Sequence, residues 1–324
     1  MGQLFGRPSG PYCGDVCDPH CHFWDFAERP NPHHADGLGA KLPKWLPDDY
    51  LEKAATLADL RITSIVHVET IDEADPEGET RWIMSLSHPL ERKTKIVCFV
   101  DLSLESAKAQ LEHQAALGAV GVRHILNKNP SWPNVRADYV DDEAFRSNYA
   151  RLADHGMSFD AQLNPHQMLK FAELVEATPG VPVMLNHLGC LKLESYVHDH
   201  IPTPGEHARR KAADAEAEAV WRAGLRRLAA SKHVFIKLSM CPYAVHEFWK
   251  HEDAERRVAS LLREVIDLFG PERCCFASNC PVDVLDGLEF DVMYAKFREM
   301  TAHLPYADQR CLFHDTAAKF YKVA

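Results

Sequence analysis

Two histidines stand one residue apart in the stretch DPHCHFWD, residues 18–25. On an extended strand alternate side chains share a face, so His20 and His22 point the same way, roughly 7 Å apart. At a strand end such a pair can converge on one ion. Imidazole nitrogens suit zinc or another borderline divalent metal, and Asp18 shares their parity. A hydrogen-bonded structural pair is the bland reading of the same spacing. Other polar groups sit near the ends of apolar runs: His67, Arg123 with His124, His187, Lys237, Ser239 and Asn279. Arg123 and His124 have opposite parity, so only one of them can face inward. Buried polar groups cost free energy unless they are paired or used. Several of them meeting in one place therefore point to a site.

The elements that must position these residues alternate along the chain. Short apolar, β-branched runs predict strands at 16–22, 63–69, 95–101, 119–125, 158–163, 182–188, 234–239 and 274–279. Helical periodicity fills most of the intervals, at 48–60, 103–118, 141–156, 165–180, 216–231 and 253–270, with two more helices near 287–301 and 305–321. Eight strands alternating with helices imply a parallel sheet with crossover connections. The count of eight favours a closed (β/α)8 TIM-type barrel. No G-x-G-x-x-G or Walker motif follows a strand, which weakens the case for an open doubly wound sheet. Residues 1–324 read as one domain, with 1–15 as an N-terminal arm. Three long connections, 23–47, 127–141 and 189–214, are rich in Pro, His, Asn and charge, and are expected to cap the catalytic face. The charged stretch 207–220 reads as a solvated helix start.

The 324 residues are 46% hydrophobic and 26% charged, with a net charge of −11. That balance argues against a nucleic-acid partner. No window approaches the ~18 apolar residues of a membrane span, and the start lacks the apolar core of a signal peptide. Met-Gly at the start is only a fragment of a myristoylation signal. Ten cysteines in a chain without an export signal are expected to be reduced thiols of a cytoplasmic protein. Cys13, Cys17 and Cys21 are spaced by four, unlike the usual C-x2-C zinc pair. Cys274 and Cys275 read as core. The expected partner is a small molecule, and a homo-oligomer is compatible with the sequence.

In combination, these motifs resemble the amidohydrolase superfamily, and within it the lactonase branch of sugar lactonases and 2-pyrone-4,6-dicarboxylate lactonases. The match runs in family order: DPHCHFWD (18–25), GVRHIL (121–126), VMLNHLG (183–189), VFIKLS (234–239) and CCFASNCPVD (274–283). The resemblance implies a barrel hydrolase with its site at the C-terminal mouth. His20, His22 and His187 would bind a metal or polarise a carbonyl. Arg123 would bind the substrate's oxygens. His67, Lys237 and Ser239 would line the pocket.

The family's last strand carries an aspartate that binds metal and takes a proton from the attacking water, and that position falls on Asn279. An amide cannot accept this proton, although it can orient water or ligate weakly. Three readings follow. Another base, such as Asp283, His187 or His67, serves a metal enzyme, with zinc as the expected ion. Alternatively the lactonase is metal-independent. In the third reading the barrel binds a ligand without turnover. A lactone tolerates a weaker base than an amide does, which favours a cyclic ester as substrate. The resemblance leaves a metal-dependent decarboxylase of an aromatic or dicarboxylic acid as the rival enzyme. A serine nucleophile lacks its G-x-S-x-G elbow.

Overall fold

The computed structural model describes residues 10–34, 37–128, 137–196 and 202–323. Residues 1–9 of the expected arm and parts of all three long connections lie outside them. Eight parallel strands run in chain order around a barrel: β1 (Gly14–Cys21), β2 (Leu60–Val68), β3 (Thr94–Phe99), β4 (Gly121–Arg123), β5 (Ser158–Ala161), β6 (Val183–Leu185), β7 (Val234–Leu238) and β8 (Cys274–Phe276). Each falls on an expected run. Most are shorter, because the ends of those runs turn into the loops that carry the polar residues.

Closure occurs between β1 and the segment after β8. His22 N donates to the Cys280 carbonyl (2.8 Å) and Asn279 N to the His20 carbonyl (2.9 Å). Beneath them the buried Asp18 carboxylate accepts from Tyr50 Oη (2.7 Å), Ser278 Oγ (2.5 Å) and Ser278 N (3.0 Å). Asp18 thus acts as a clamp across the closure, not as part of the histidine site. Asp18→Ala removes the acceptor of these buried donors and of His20 N (3.3 Å), and is expected to cost roughly 3–5 kcal/mol, read from the urea midpoint.

The barrel interior packs Cys17, Val66, Val68, Val97, Met184 and Cys275 against Ala317 and Tyr321. The last two come from the final helix, Thr316–Phe320, and the residue after it, which plug the end of the barrel opposite the site. Outside lie α1 (Pro47–Ala54), α2 (Pro76–Ser85), α3 (Ala107–Ala116), α4 (Glu143–Ala150), α5 (Met168–Ala177), α6 (Pro204–Ala230), α7 (Glu252–Phe269) and α8 (Phe290–Thr301). In α7, Val258, Leu261, Leu262, Val265 and Phe269 form one buried stripe, the spacing of an amphipathic helix.

Three features depart from the expected pattern. Helix α2 is absent from the sequence reading, although Asp75 accepts from Gly78 N (3.0 Å) as its cap and Pro76 stands in its first turn. Helix α6 begins at Pro204, not 216, capped by Thr203. The connection 23–47 holds a two-stranded antiparallel ribbon, Trp24–Asp25 with Lys44–Trp45. Of the evenly spaced cysteines, Cys13 is exposed and Cys17 and Cys21 are buried in different packing clusters. No described helix is long and apolar enough to cross a membrane.

Candidate active site

The C-terminal ends of the strands surround a cavity of about 130 Å³. His22, Glu69, Arg123, Gln162, His187 and Asn279 give it a polar floor, and Trp24, Ile71, Ile125, Met240 and Val282 supply apolar walls. A larger cleft, about 840 Å³, lies beside the start of β1 and the C-terminal helices and holds none of the strand-end histidines.

His22 sits one residue past β1, where irregular pairing with β2 bends the strand. That bend brings the His20 and His22 rings to 4.9 Å between centroids, closer than straight-strand spacing. Their Nε2 atoms are 3.2 Å apart. His22 Nδ1 donates to the Val68 carbonyl (2.7 Å), so its Nε2 carries the lone pair. His20 lies below the cavity, with its Nδ1 3.3 Å from Lys237 Nζ.

His187 enters from the loop after β6. His187, Leu188, Gly189 and Cys190 all have left-handed backbone, with φ between 51° and 66°. Such a run is costly for residues with a Cβ and is held from outside by Trp221 Nε1, which donates to the Leu188 carbonyl (2.6 Å). Gly189 suits this run, because its φ of 66° is strained for a residue with a Cβ and an added Cβ would force the Met168 side chain to move. The turn swings His187 to within 4.5 Å of the His20 ring centroid. Its Nδ1 meets Ser239 Oγ (3.0 Å).

Arg123 ends β4 and lines the cavity. Its Nε pairs with Glu69 Oε1, its Nη2 donates to the Glu69 carbonyl (2.6 Å) and its Nη1 to Gln162 Oε1 (3.1 Å). Its neighbour His124 turns the other way, against Tyr139 (4.3 Å), as opposite parity requires. Asn279 Nδ2 donates to Asp283 Oδ1 (2.7 Å), so the amide oxygen is what Asn279 can offer the cavity. Asp283 stands behind it, and burial pushes its pKa up to about 8.

Burial, with help from nearby cations, holds His20, His22 and His187 well below the usual histidine pKa. Lys237 is the largest cationic influence on His20, and Arg123 on the other two. All three are neutral at neutral pH. Burial also raises the Glu69 carboxyl, against the pull of Arg123.

Five expected site residues do not line the cavity, and His20, beneath it, is the first of them. His67 is fully buried. Its Nδ1 accepts from Phe23 N (3.3 Å), which places its proton on Nε2 toward Glu79 Oε1 (3.2 Å). It braces the loop after β1. Lys237 is sealed between Asp160 and His20, Ser239 sits behind His187, and Asp283 behind Asn279. Lys128 is exposed. Sequence reasoning missed Glu69, Asp160, Gln162 and Tyr321. The first three lie within or beside expected strands, and parity with Asp160 was the available signal for Gln162.

The donor set was tested against a divalent ion. Two ligand nitrogens on a tetrahedral zinc lie ~3.3 Å apart, and the His20–His22 separation matches that. Nothing else does. Among the described residues no group of three or more His, Cys, Asp or Glu side chains is arranged to hold a metal. Glu69 and Asp160 are committed to Arg123 and Lys237, and Asp283 Oδ1 is engaged by Asn279 Nδ2, with burial raising its carboxyl. An incoming dication would meet two cations and no uncommitted carboxylate among the described residues. The residues do not fit a resident metal.

The amidohydrolase family model matches residues 17–323. An L-fucono-1,5-lactonase from Burkholderia multivorans is 24% identical over 313 residues, 94% of this chain and 95% of that protein. The crystal structure of a Burkholderia multivorans amidohydrolase with bound zinc has a TM-score of 0.75 at 25% identity, covering 95% of this chain and 99% of that one. A 2,6-dihydroxybenzoate decarboxylase from Rhizobium shares the fold, with a TM-score of 0.59 at 12% identity over 97% of this chain and 98% of that one. Barrel, mouth pocket and family match extend over nearly the same residues, and the chain is an enzyme of the amidohydrolase family.

Proposed function

We propose that this protein hydrolyses a small lactone to its hydroxy acid, with the six-membered sugar lactones as the substrate class to test first. The observation that carries this reading is the convergence of His187, Arg123 and Asn279 on one cavity. Arg123 donates to the lactone carbonyl oxygen and stabilises the charge that develops there in the tetrahedral intermediate. His187 Nε2 takes the proton of the attacking water, while Ser239 holds its Nδ1 edge. The Asn279 amide oxygen orients that water. As the ring C–O bond breaks, the proton on His187 passes to the departing alkoxide, so one water is consumed and one carboxylic acid is formed. Six-membered lactones are more reactive than amides, and a neutral base suffices. The L-fucono-1,5-lactonase relative supports the substrate class.

A second reading is favoured by the 3.2 Å nitrogen spacing and by the zinc-bound relative: His20 and His22 hold a weakly bound divalent ion, with His187 nearby. Elemental analysis separates the two. Purified protein is expected to contain well under one equivalent of zinc and to keep its activity in chelator. Asn279→Asp supplies the missing carboxylate and is expected to raise metal content. Stoichiometric zinc in the native protein, with activity lost in chelator and restored by zinc, would favour the second reading.

A further inference from the structure

A column of buried polar groups runs up the barrel axis beneath the cavity, and the mechanism above uses none of it. Tyr321, brought in from the C-terminal end, donates its hydroxyl to Asp160 Oδ1 (2.8 Å). Lys237 Nζ donates to the same oxygen at 2.5 Å and sits 5.2 Å from the centre of the Tyr321 ring. Lys237 and Asp160 are wholly buried, and Tyr321 nearly so. On the other side, Lys237 Nζ lies 3.3 Å from His20 Nδ1.

The directions of these bonds are fixed from both ends. An ammonium only donates, so His20 Nδ1 must accept, and the proton of a neutral His20 then sits on Nε2. A carbonyl only accepts, so His22 Nδ1 carries its proton toward Val68, and His22 Nε2 is bare. The 3.2 Å contact between the two Nε2 atoms is then an ordinary hydrogen bond from His20 to His22. With the opposite tautomer of His20, two bare nitrogens would face each other and an N–H would face the ammonium.

We infer that Lys237, anchored by Asp160 and Tyr321, is a positioning residue that locks His20 in its Nε2–H tautomer and turns the H-x-H pair into a hydrogen-bonded dyad in place of a metal chelate. The proton on His20 Nε2 blocks the atom a metal would need. It also fixes the ring of His22, which forms part of the cavity floor. Unpairing Lys237 from His20 frees both tautomers and makes the pair available to an ion.

Long-range nitrogen–proton NMR on histidine-labelled protein reads the tautomer directly, with His20→Gln assigning the resonance. In the wild type the His20 signals are expected to show a bare Nδ1 and a protonated Nε2. Protonation at Nδ1 would overturn the inference without any variant being needed. The paired variant Lys237→Met/Asp160→Asn removes both charges together. In it the His20 tautomers are expected to mix, and zinc affinity measured by calorimetry is expected to rise about tenfold or more. An unchanged tautomer or unchanged zinc affinity in the folded variant would overturn the inference. Tyr321→Phe, which deletes one hydroxyl from the column, should leave the Nε2–H form in the majority because Lys237 remains; loss of that form would show that Lys237 is not what sets it. These readouts need no substrate, so failure of the lactonase reading would not count for or against them.

Discussion

Replacing His187 with alanine is expected to lower kcat for lactone opening about a thousandfold, within the usual range for removing a general base, while KM changes little. The argument rests on placement. His187 is the strand-end histidine that both lines the cavity and has its far nitrogen held by a hydroxyl, Ser239 Oγ at 3.0 Å. Removing the ring empties space beside the cavity and breaks one hydrogen bond, so the fold should survive. The left-handed run that presents it is held by Trp221 through the Leu188 carbonyl, not by the imidazole. Steady-state kinetics with circular dichroism as a control measures this. Near-wild-type kcat in a folded His187→Ala protein would move the base elsewhere in the cavity.

The second large effect concerns stability. Lys237→Met leaves Asp160 as a carboxylate at the barrel's centre without its lysine; its Oδ2 already has no described partner and its Oδ1 would keep the Tyr321 hydroxyl. Breaking a buried ion pair from one side costs about 3–5 kcal/mol. Adding Asp160→Asn removes the stranded charge and is expected to recover most of the loss, because the desolvation of two charges is then avoided. Urea denaturation of the wild type, the single variant and the pair checks this. A single variant as stable as wild type would mean that the lysine and the carboxylate do not depend on one another.

The eight strands were legible because a parallel barrel buries both faces of each strand, so its strands appear as short, nearly continuous apolar runs. The histidines and Arg123 stood out for the same reason, since a polar group at the end of such a run needs a partner. Their roles were less legible. His20, His22 and Lys237 look alike in the sequence as polar residues in or beside strands. Only closure of the ring separates the one that lines the cavity, His22, from the two beneath it. Partners distant in sequence were invisible: Lys237 and Asp160 are 77 residues apart, and Tyr321 lies 161 beyond Asp160. Asp283 was placed four residues from Asn279 as a substitute base, and adjacency in sequence could not show that it stands behind the amide. Helix α2 was missed although its Asp-Pro start is a regular helix signal, because its ten residues mix charge and apolar groups without a clear stripe.

The most direct test of the central claim is a pH-stat assay of the purified protein on neutral 1,5-lactones of sugar acids, with chelator present and with carbon dioxide followed in parallel on an aromatic acid panel. The account predicts one equivalent of acid released per lactone consumed, insensitivity to the chelator, and no carbon dioxide. Carbon dioxide release without lactone opening, or lactone binding without any acid formed, would contradict it.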